Sequence, residues 1–208
     1  SRGLGDVYKR QYFEEEISNE VNLSYSDNQV TVTTDYLTLV YTLNSEGYAS
    51  QCVYSLSSQN RIYQFSYSAE GYLTGIVENI DNREYSSTSL TYENGDITSI
   101  SSKMNGLENK FIYEPGEESS TYHLPCLGLL EIHPLTFHIE ALYAGLLGKD
   151  PRHFTMHSCP AGSNDEKTVY SYGFDKKGNP SRMICQTTYA GGQASYYPYT
   201  RNISISFE

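Results

Sequence analysis

The chain has 208 residues, of which 14 are Lys or Arg and 25 are Asp or Glu, so its formal net charge is −11. That balance argues against a nucleic-acid-binding or anionic-membrane surface, and the sequence has no run of 18 apolar residues that could form a membrane-spanning helix. The length is sufficient to bury a sizeable core without disulfide bonds. Tyrosine occupies 21 positions and tryptophan none, a composition typical of a half-exposed β-sheet.

The first eleven residues, SRGLGDVYKRQ, follow none of the patterns in the rest of the chain. They resemble a stretch found at the ends of many metagenomic gene models and interpreted as translated linker DNA. We therefore expect residues 1–11 to be non-native and leave them out of the fold. A native start, with any signal sequence on it, is then expected outside the given sequence. We predict that residues 12–208 form a single β-rich domain.

A repeat of 24 residues is the strongest internal signal, and Gly47, Gly71 and Gly95 mark its three copies. A fourth copy lies late in the chain, at Gly178. Polar residues precede each of these glycines, and rings alternate with small polar residues in the flanking segments, as in a strand with one buried face. A glycine in the left-handed conformation then closes a hairpin turn. A lone hairpin is marginal, so the repeat predicts neighbouring hairpins paired in an antiparallel meander.

Further strands are predicted on both sides of the repeats. They cover residues 21–26, 30–36, 110–113 and 202–207. All seven prolines lie after residue 114, and Pro115-Gly116 is predicted to end the meander. Residues 117–166 are then a helix- and loop-containing insertion of different composition.

Within this insertion, one helix is predicted near residues 135–147. Its apolar stripe consists of Leu135, Ile139, Leu142 and Leu146, and Gly148-Lys149 is predicted to close it. The predicted fold is therefore mainly all-β. It is an antiparallel meander of about ten to fourteen strands, curled into an open or partial barrel, with one short helix packed near its opening.

Three features together resemble a known family: the Y-x-Y-D/E-x-x-G hairpins, the segment ALYAGLLGK at residues 141–149, and the closing hairpin at residues 172–178. They are similar to an uncharacterised family of Bacteroidetes cell-envelope proteins, often lipoproteins, described as having a porin-like fold. The hairpin motif is also similar to that of wall-associated YD-repeat proteins. The likeness covers about residues 20–208, and residues 123–138 depart from it.

The resemblance implies a curled sheet at the outer-membrane side of a Gram-negative cell. It also implies a periplasmic or surface location and a lipid anchor outside the given chain. The family has no established catalytic residues, so none are assigned here.

Candidate chemistry concentrates in the insertion, where all five histidines lie between His123 and His157 together with Cys126 and Cys159. Zinc accepts such ligands, but Pro151 and Pro160 bracket His153 and His157, and no H-E-x-x-H motif is present. We therefore predict a polar loop and no metal, cofactor or catalytic residue there. The four cysteines allow three disulfide pairings, which remain open, and buried free thiols are expected.

Aromatic side chains are the one feature that suggests binding. Those expected to face an apolar or glycan ligand on a concave sheet are Tyr63, Phe65, Tyr67, Tyr170, Tyr172 and Phe174. The leading functional hypothesis is a non-enzymatic cell-envelope protein that binds or scaffolds, with no nucleic-acid partner. The alternatives are a carrier of an apolar or lipid ligand inside the curled sheet, and a metal-assisted hydrolase that uses the histidine-rich insertion.

Overall fold

The computed structural model describes residues 21–34, 37–56, 59–119, 132–163, 166–176, 180–189 and 199–204. The strands are β1 (Asn22–Ser26), β2 (Gln29–Thr33), β3 (Thr38–Leu43), β4 (Ala49–Leu56), β5 (Gln59–Tyr67), β6 (Leu73–Ile80), β7 (Arg83–Glu93), β8 (Asp96–Met104), β9 (Leu107–Ser119), β10 (His153–Pro160), β11 (Glu166–Phe174), β12 (Pro180–Tyr189) and β13 (Tyr199–Ser204). Between β9 and β10 lie a 3-10 turn, Leu135–Phe137, and the helix α1, Ile139–Tyr143.

The strand order in the sheet is the strand order in the chain, from β1 to β13. In the described part of the chain, β1 and β13 are the edges of the sheet and do not pair with each other, so the sheet is open. The predicted antiparallel meander is therefore confirmed. Among the described residues the longest helix has five residues, and no candidate membrane-spanning helix is present.

The repeat glycines lie in the hairpin turns, with φ values of +84° at Gly47, +91° at Gly71 and +89° at Gly95. This is the left-handed conformation that the repeat predicts. The first two turns are alike, because Gly47 N donates to Asn44 O and Gly71 N donates to Ser68 O. The third is a tighter Asn-Gly turn with two residues at positive φ, the type favoured in two-residue hairpins. Gly178 lies outside the described residues.

The predicted end of the meander at Pro115 was wrong. Strand β9 continues past it to Ser119 and pairs with β10, with register shifts on both sides of Thr155, which lies opposite Pro115. A bulge leaves a position without a ladder hydrogen bond, which is where a strand tolerates proline.

The predicted loop around His153 and His157 was also wrong, since both residues belong to β10. Pro151 stands outside this strand and Pro160 is its last residue, so neither interrupts the ladder. Strand β9 ends at Ser119 and β10 begins at His153, so residues 117–119 and 153–160 of the predicted insertion, 117–166, belong to the sheet.

Residues 132–144, here called the cap, carry the single predicted helix, but α1 has five residues rather than about a dozen. It ends early because Gly145 adopts a φ of +68°. Leu146 N donates to Ala141 O at 2.9 Å and Gly145 N donates to Leu142 O at 3.1 Å, the paired bonds of a Schellman motif. The helix therefore does not reach the predicted end at Gly148. The four residues of the predicted stripe are nevertheless buried in the core: Leu135, Ile139, Leu142 and Leu146.

Residues 145–152, here called the strap, cross the ends of three consecutive hairpins. The backbone hydrogen bonds that join them, donor first, are Ala49 N to Leu146 O (2.7 Å), Lys149 N to Gly71 O (2.9 Å) and Arg152 N to Gly95 O (3.0 Å). Leu146, Lys149 and Arg152 are three residues apart, and the hairpins that they contact are two strand spacings apart, about 9.6 Å. The strap therefore advances by one hairpin for every three residues.

The cap also shows that the sheet is curled. His138 reaches Tyr41 on β3, whereas the carbonyl of His133 accepts a hydrogen bond from Ser102 on β8. In a flat sheet these two strands would lie about 24 Å apart, and five residues containing a 3-10 turn advance only about 10 Å. The inner face of the sheet must therefore bend around the cap.

Candidate functional site

The cap meets the sheet at a fully buried carboxylate, Glu78, which is 0% exposed. Its Oε1 accepts hydrogen bonds from Arg61 Nη1 (3.1 Å) and from the Tyr63 hydroxyl (3.2 Å). Its Oε2 accepts from the Ser86 hydroxyl (2.8 Å) and from His133 Nε2 in the cap (2.6 Å). We call these five residues the Glu78 cluster.

Strand register explains why the sheet residues of this cluster meet. Glu78 is the direct cross-strand partner of Tyr63 on β5 and of Ser86 on β7, so the three side chains share the inner face. Arg61 lies two residues before Tyr63 on the same strand and therefore on the same face. His133 is brought in by the cap from a sequence distance of 55 residues.

Glu78 is ionised despite its burial. Burial raises the pKa of its carboxyl group, but the hydrogen bonds from His133 and Ser86 and the electrostatic effects of His133 and Arg61 outweigh that effect. The net pKa therefore lies below the ordinary value of 4.5. Burial also raises the pKa of Tyr63, so this hydroxyl stays protonated and can donate to the carboxylate.

His133 is fixed by its backbone as well as its ring. Its carbonyl oxygen accepts hydrogen bonds from the hydroxyls of Thr88 and Ser102, each at 3.1 Å, and the peptide bond to Pro134 is cis. The ring makes edge contacts with Phe137 and Tyr85 at centroid distances of 5.7 Å and 6.1 Å. The start of the cap is thus attached to three strands of the sheet.

His138 is the second polar residue that the cap places against the sheet, and it is 0% exposed. Its ring lies at right angles to the ring of Tyr63, and their centroids are 4.4 Å apart. The distance between the centroids of His138 and Phe65 is 5.2 Å. Nδ1 lies 2.8 Å from the Tyr41 hydroxyl, and Nε2 has no hydrogen-bond partner among the described residues. Burial lowers the pKa of His138 to about 3, so the imidazole is neutral.

The Glu78 cluster does not have the geometry of a nucleophilic triad. A nucleophilic serine donates its proton to an imidazole, whereas Ser86 donates to the carboxylate, which also takes the His133 N–H. Four donors surround the two oxygens of Glu78, and this arrangement neutralises a buried charge. It anchors the cap to the sheet.

The other described histidines have separate partners. The pairs are His138 with Tyr41 at 2.8 Å, His153 with Asp96 at 2.8 Å, and His157 with Glu114 at 3.1 Å. In the part of the chain that the structure covers, no three His, Cys, Asp or Glu side chains come together in a way that could hold a metal ion. His123 and Cys126 lie outside that part.

The predicted ligand-facing aromatics fall into two groups. The first group is covered by the cap and the strap. Tyr63 and Phe65 are buried against His138, and the Tyr67 hydroxyl, which donates to Ala49 O at 2.6 Å, lies 3.5 Å from Leu146 O of the strap. These rings face the chain's own insertion.

The second group lies near the far end of the sheet. Tyr170 is buried with its hydroxyl 2.9 Å from Ser158 Oγ, and Tyr172 stacks on Phe154 at a centroid distance of 4.6 Å. Phe174 is 40% exposed, although its ring lies 5.9 Å from that of Phe154. Of the six predicted rings, Phe174 is therefore the one classed as exposed in the structure.

Comparison with known proteins identifies the family. Residues 6–182 match the model of the family described as "Domain of unknown function (DUF4595) with porin-like fold". The chain belongs to this family. The family resemblance inferred from the hairpins and the ALYAGLLGK segment is therefore confirmed for the family and for its porin-like fold.

Solved structures agree with this assignment. A porin-like protein from Bacteroides uniformis is 27% identical, with a TM-score of 0.81 over 95% of this chain and 81% of that one. A porin-like protein from Bacteroides vulgatus is 12% identical, with a TM-score of 0.63 over 98% of this chain and 99% of that one, and it shares the fold. No curated protein sequence matches the chain significantly.

Two residues of this DUF4595 domain were missed by sequence reasoning, Glu78 and His138. A signal for Glu78 was present, because it alternates with the apolar Ile76 and Ile80 and so falls on the face of β6 that contains buried Ile76. A carboxylate on a buried face needs partners. For His138 the sequence offers no comparable signal, since its burial depends on where the cap docks.

Proposed function

We propose that this DUF4595 domain is a non-enzymatic binding or scaffolding module of the bacterial cell envelope. The observation that carries the proposal is that the protein's own cap packs on the inner face of the sheet between β3 and β8, where Tyr63 and Phe65 are buried against His138. The cap is held there by His133, whose Nε2 donates to Glu78 and whose carbonyl accepts from Thr88 and Ser102, and by His138, whose Nδ1 lies 2.8 Å from the Tyr41 hydroxyl.

The acidic composition argues against a nucleic-acid partner. The net charge of −11 repels phosphate backbones. The exposed ring of Phe174, supported by Phe154, offers a place where an apolar or glycan ligand could stack. Loss of glycan-array binding in Phe174→Ala, with unchanged stability, would support this ligand class.

The envelope location is supported by the porin-like Bacteroides proteins that share the fold. We propose a periplasmic or surface lipoprotein whose lipid anchor lies outside the given chain. The test expresses the complete gene in a Bacteroides host, fractionates the cells and partitions the protein in Triton X-114. Recovery in the detergent phase of the envelope fraction is expected. Recovery in the aqueous phase of the cytosol would contradict the proposal.

A carrier of an apolar or lipid ligand is the second candidate, and the buried rings of Tyr41, Tyr63 and Phe65 favour it. In that case the cap would act as the plug of a cavity within the curled sheet. Native mass spectrometry of the protein purified without detergent separates the two. The bare mass of the chain is expected for the scaffold, whereas a co-purifying lipid would favour the carrier.

A further inference from the structure

The cap is attached to the sheet by contacts that depend on protonation. We propose that the cap is an acid-released lid, in which protonation of His138 lifts residues 132–144 from the inner face while the sheet stays folded. The inference concerns how the molecule changes and does not depend on the function proposed above.

The first observation is the environment of His138. The ring is fully buried among Tyr41 of β3 and Tyr63 and Phe65 of β5. The Tyr41 hydroxyl can satisfy Nδ1 at 2.8 Å, but Nε2 has no acceptor among the described residues. A protonated ring would therefore hold a charged N–H with no partner inside an apolar contact, which is costly.

The second observation is the charge around His138 from the neighbouring elements. Glu78 of β6 favours the protonated ring, whereas His133 of the cap disfavours it, and burial outweighs both. The Tyr41 and Tyr63 hydroxyls stay protonated, because burial raises the pKa of each. When the cap is lifted, the ring enters water and its pKa returns to the ordinary 6.5 from about 3.

The third observation is that the cap is a separate element. It rests on the sheet through His133, His138 and the apolar stripe of α1. The strands beneath it are held by their own ladders, β3 to β8, without a backbone contribution from residues 132–144. Lifting the cap thus breaks side-chain contacts and the hydrogen bonds to the His133 carbonyl, and leaves the ladders intact.

The size of the effect follows from linkage. A group whose pKa rises from about 3 to 6.5 on opening shifts the opening equilibrium by about 25-fold between pH 7 and pH 5. Between pH 7 and pH 5 the closed state binds fewer protons than the open state. Acid therefore favours opening.

Cys52 provides the readout. Its thiol is 0% exposed on the inner face, in register with Tyr41 and Tyr63, and burial raises the pKa of Cys52 to about 12. In a variant with Cys126, Cys159 and Cys185 replaced by serine, Cys52 is labelled with a pyridyl disulfide that reacts in mild acid. The labelling rate of Cys52 at each pH is divided by the labelling rate of an unfolded Cys-containing peptide at the same pH. Circular dichroism measures the β-sheet content in parallel.

The normalised rate is expected to rise about 25-fold from pH 7 to pH 5 with the sheet signal unchanged. In His138→Gln and in His138→Phe, which keeps the ring packing, the ratio of the two rates should fall to about one, whatever the absolute rate. Glu114→Gln, which alters the exposed pair with His157, should retain the full response. A pH-independent rate in the parent, loss of the sheet signal together with labelling, or an unchanged response in both His138 variants would overturn the proposal.

Discussion

Gly71 and Gly75 lie four residues apart, one in a hairpin turn and one in strand β6, and they differ in backbone conformation. Gly71 has a φ of +91°, and a Cβ there would lie 3.2 Å from Tyr48 Cε2. Gly75 has ordinary strand geometry, with its nearest neighbours at 3.7 Å. We expect Gly71→Val to lower the free energy of unfolding by about 1–3 kcal/mol, and Gly75→Ala to be tolerated. Urea denaturation of both variants beside the parent measures the difference, and equal midpoints would contradict the assigned turn.

Two Glu–His pairs of similar geometry differ in burial. The Glu78 side chain is 0% exposed, whereas the Glu114 side chain is 65% exposed, and their partners His133 and His157 are 26% and 30% exposed. Glu78→Ala should cost about 3 kcal/mol, because it leaves Arg61 and His133 without their carboxylate. Glu114→Ala should cost less than about 0.5 kcal/mol, since exposed pairs contribute little. A double-mutant cycle for each pair, with His133→Ala for Glu78 and His157→Ala for Glu114, measures its coupling energy. Equal coupling energies in the two pairs would contradict the prediction that burial strengthens the first.

At the scale of the element, the strap depends on one close backbone approach. Gly148 has a φ of +91°, and a Cβ there would lie 2.7 Å from the carbonyl oxygen of Gly71. Gly148→Ala should therefore displace the neighbouring hydrogen bond from Lys149 N to Gly71 O and expose the strap to proteases. Gly145→Ala is the matched control, because Gly145 also has a positive φ, +68°, but no atom within 4 Å of the added carbon. Faster limited proteolysis in Gly148→Ala than in Gly145→Ala is expected, and the reverse order would contradict this account.

The elements also show where sequence reasoning succeeds and where it stops. The hairpins at Gly47, Gly71 and Gly95 were predictable because turn chemistry is local. The helix was predicted too long because its apolar stripe continues through Leu146, and the stripe does not reveal that Gly145 leaves the helical conformation. The partners of Glu78 were not predictable, since they come from β5, β7 and the cap and meet only in the folded sheet.

At the scale of the whole molecule, stability should fall in mild acid. His138 has a folded-state pKa of about 3 against an ordinary 6.5, so the unfolded chain binds more protons between these values. The free energy of unfolding should therefore be about 2 kcal/mol lower at pH 5 than at pH 7. Glu78 adds to the loss below its ordinary 4.5, because its pKa is lowered in the folded state. Urea denaturation across this pH range measures how the free energy of unfolding changes with pH. A free energy of unfolding that is independent of pH, both in the parent and in His138→Gln, would contradict this prediction.

The spacing of the strap has a consequence for how this domain can change in length. Lys149 and Arg152 contact glycines that are 24 residues apart, while they are themselves separated by three residues. If a gene gains or loses one hairpin of this kind, it must therefore also gain or lose three codons between the helix and β10. Only then can the strap keep its backbone hydrogen bonds to the hairpin turns. Relatives that have one additional hairpin should therefore also have three additional residues in the strap. Removing one 24-residue copy should be tolerated only when three strap residues are deleted with it.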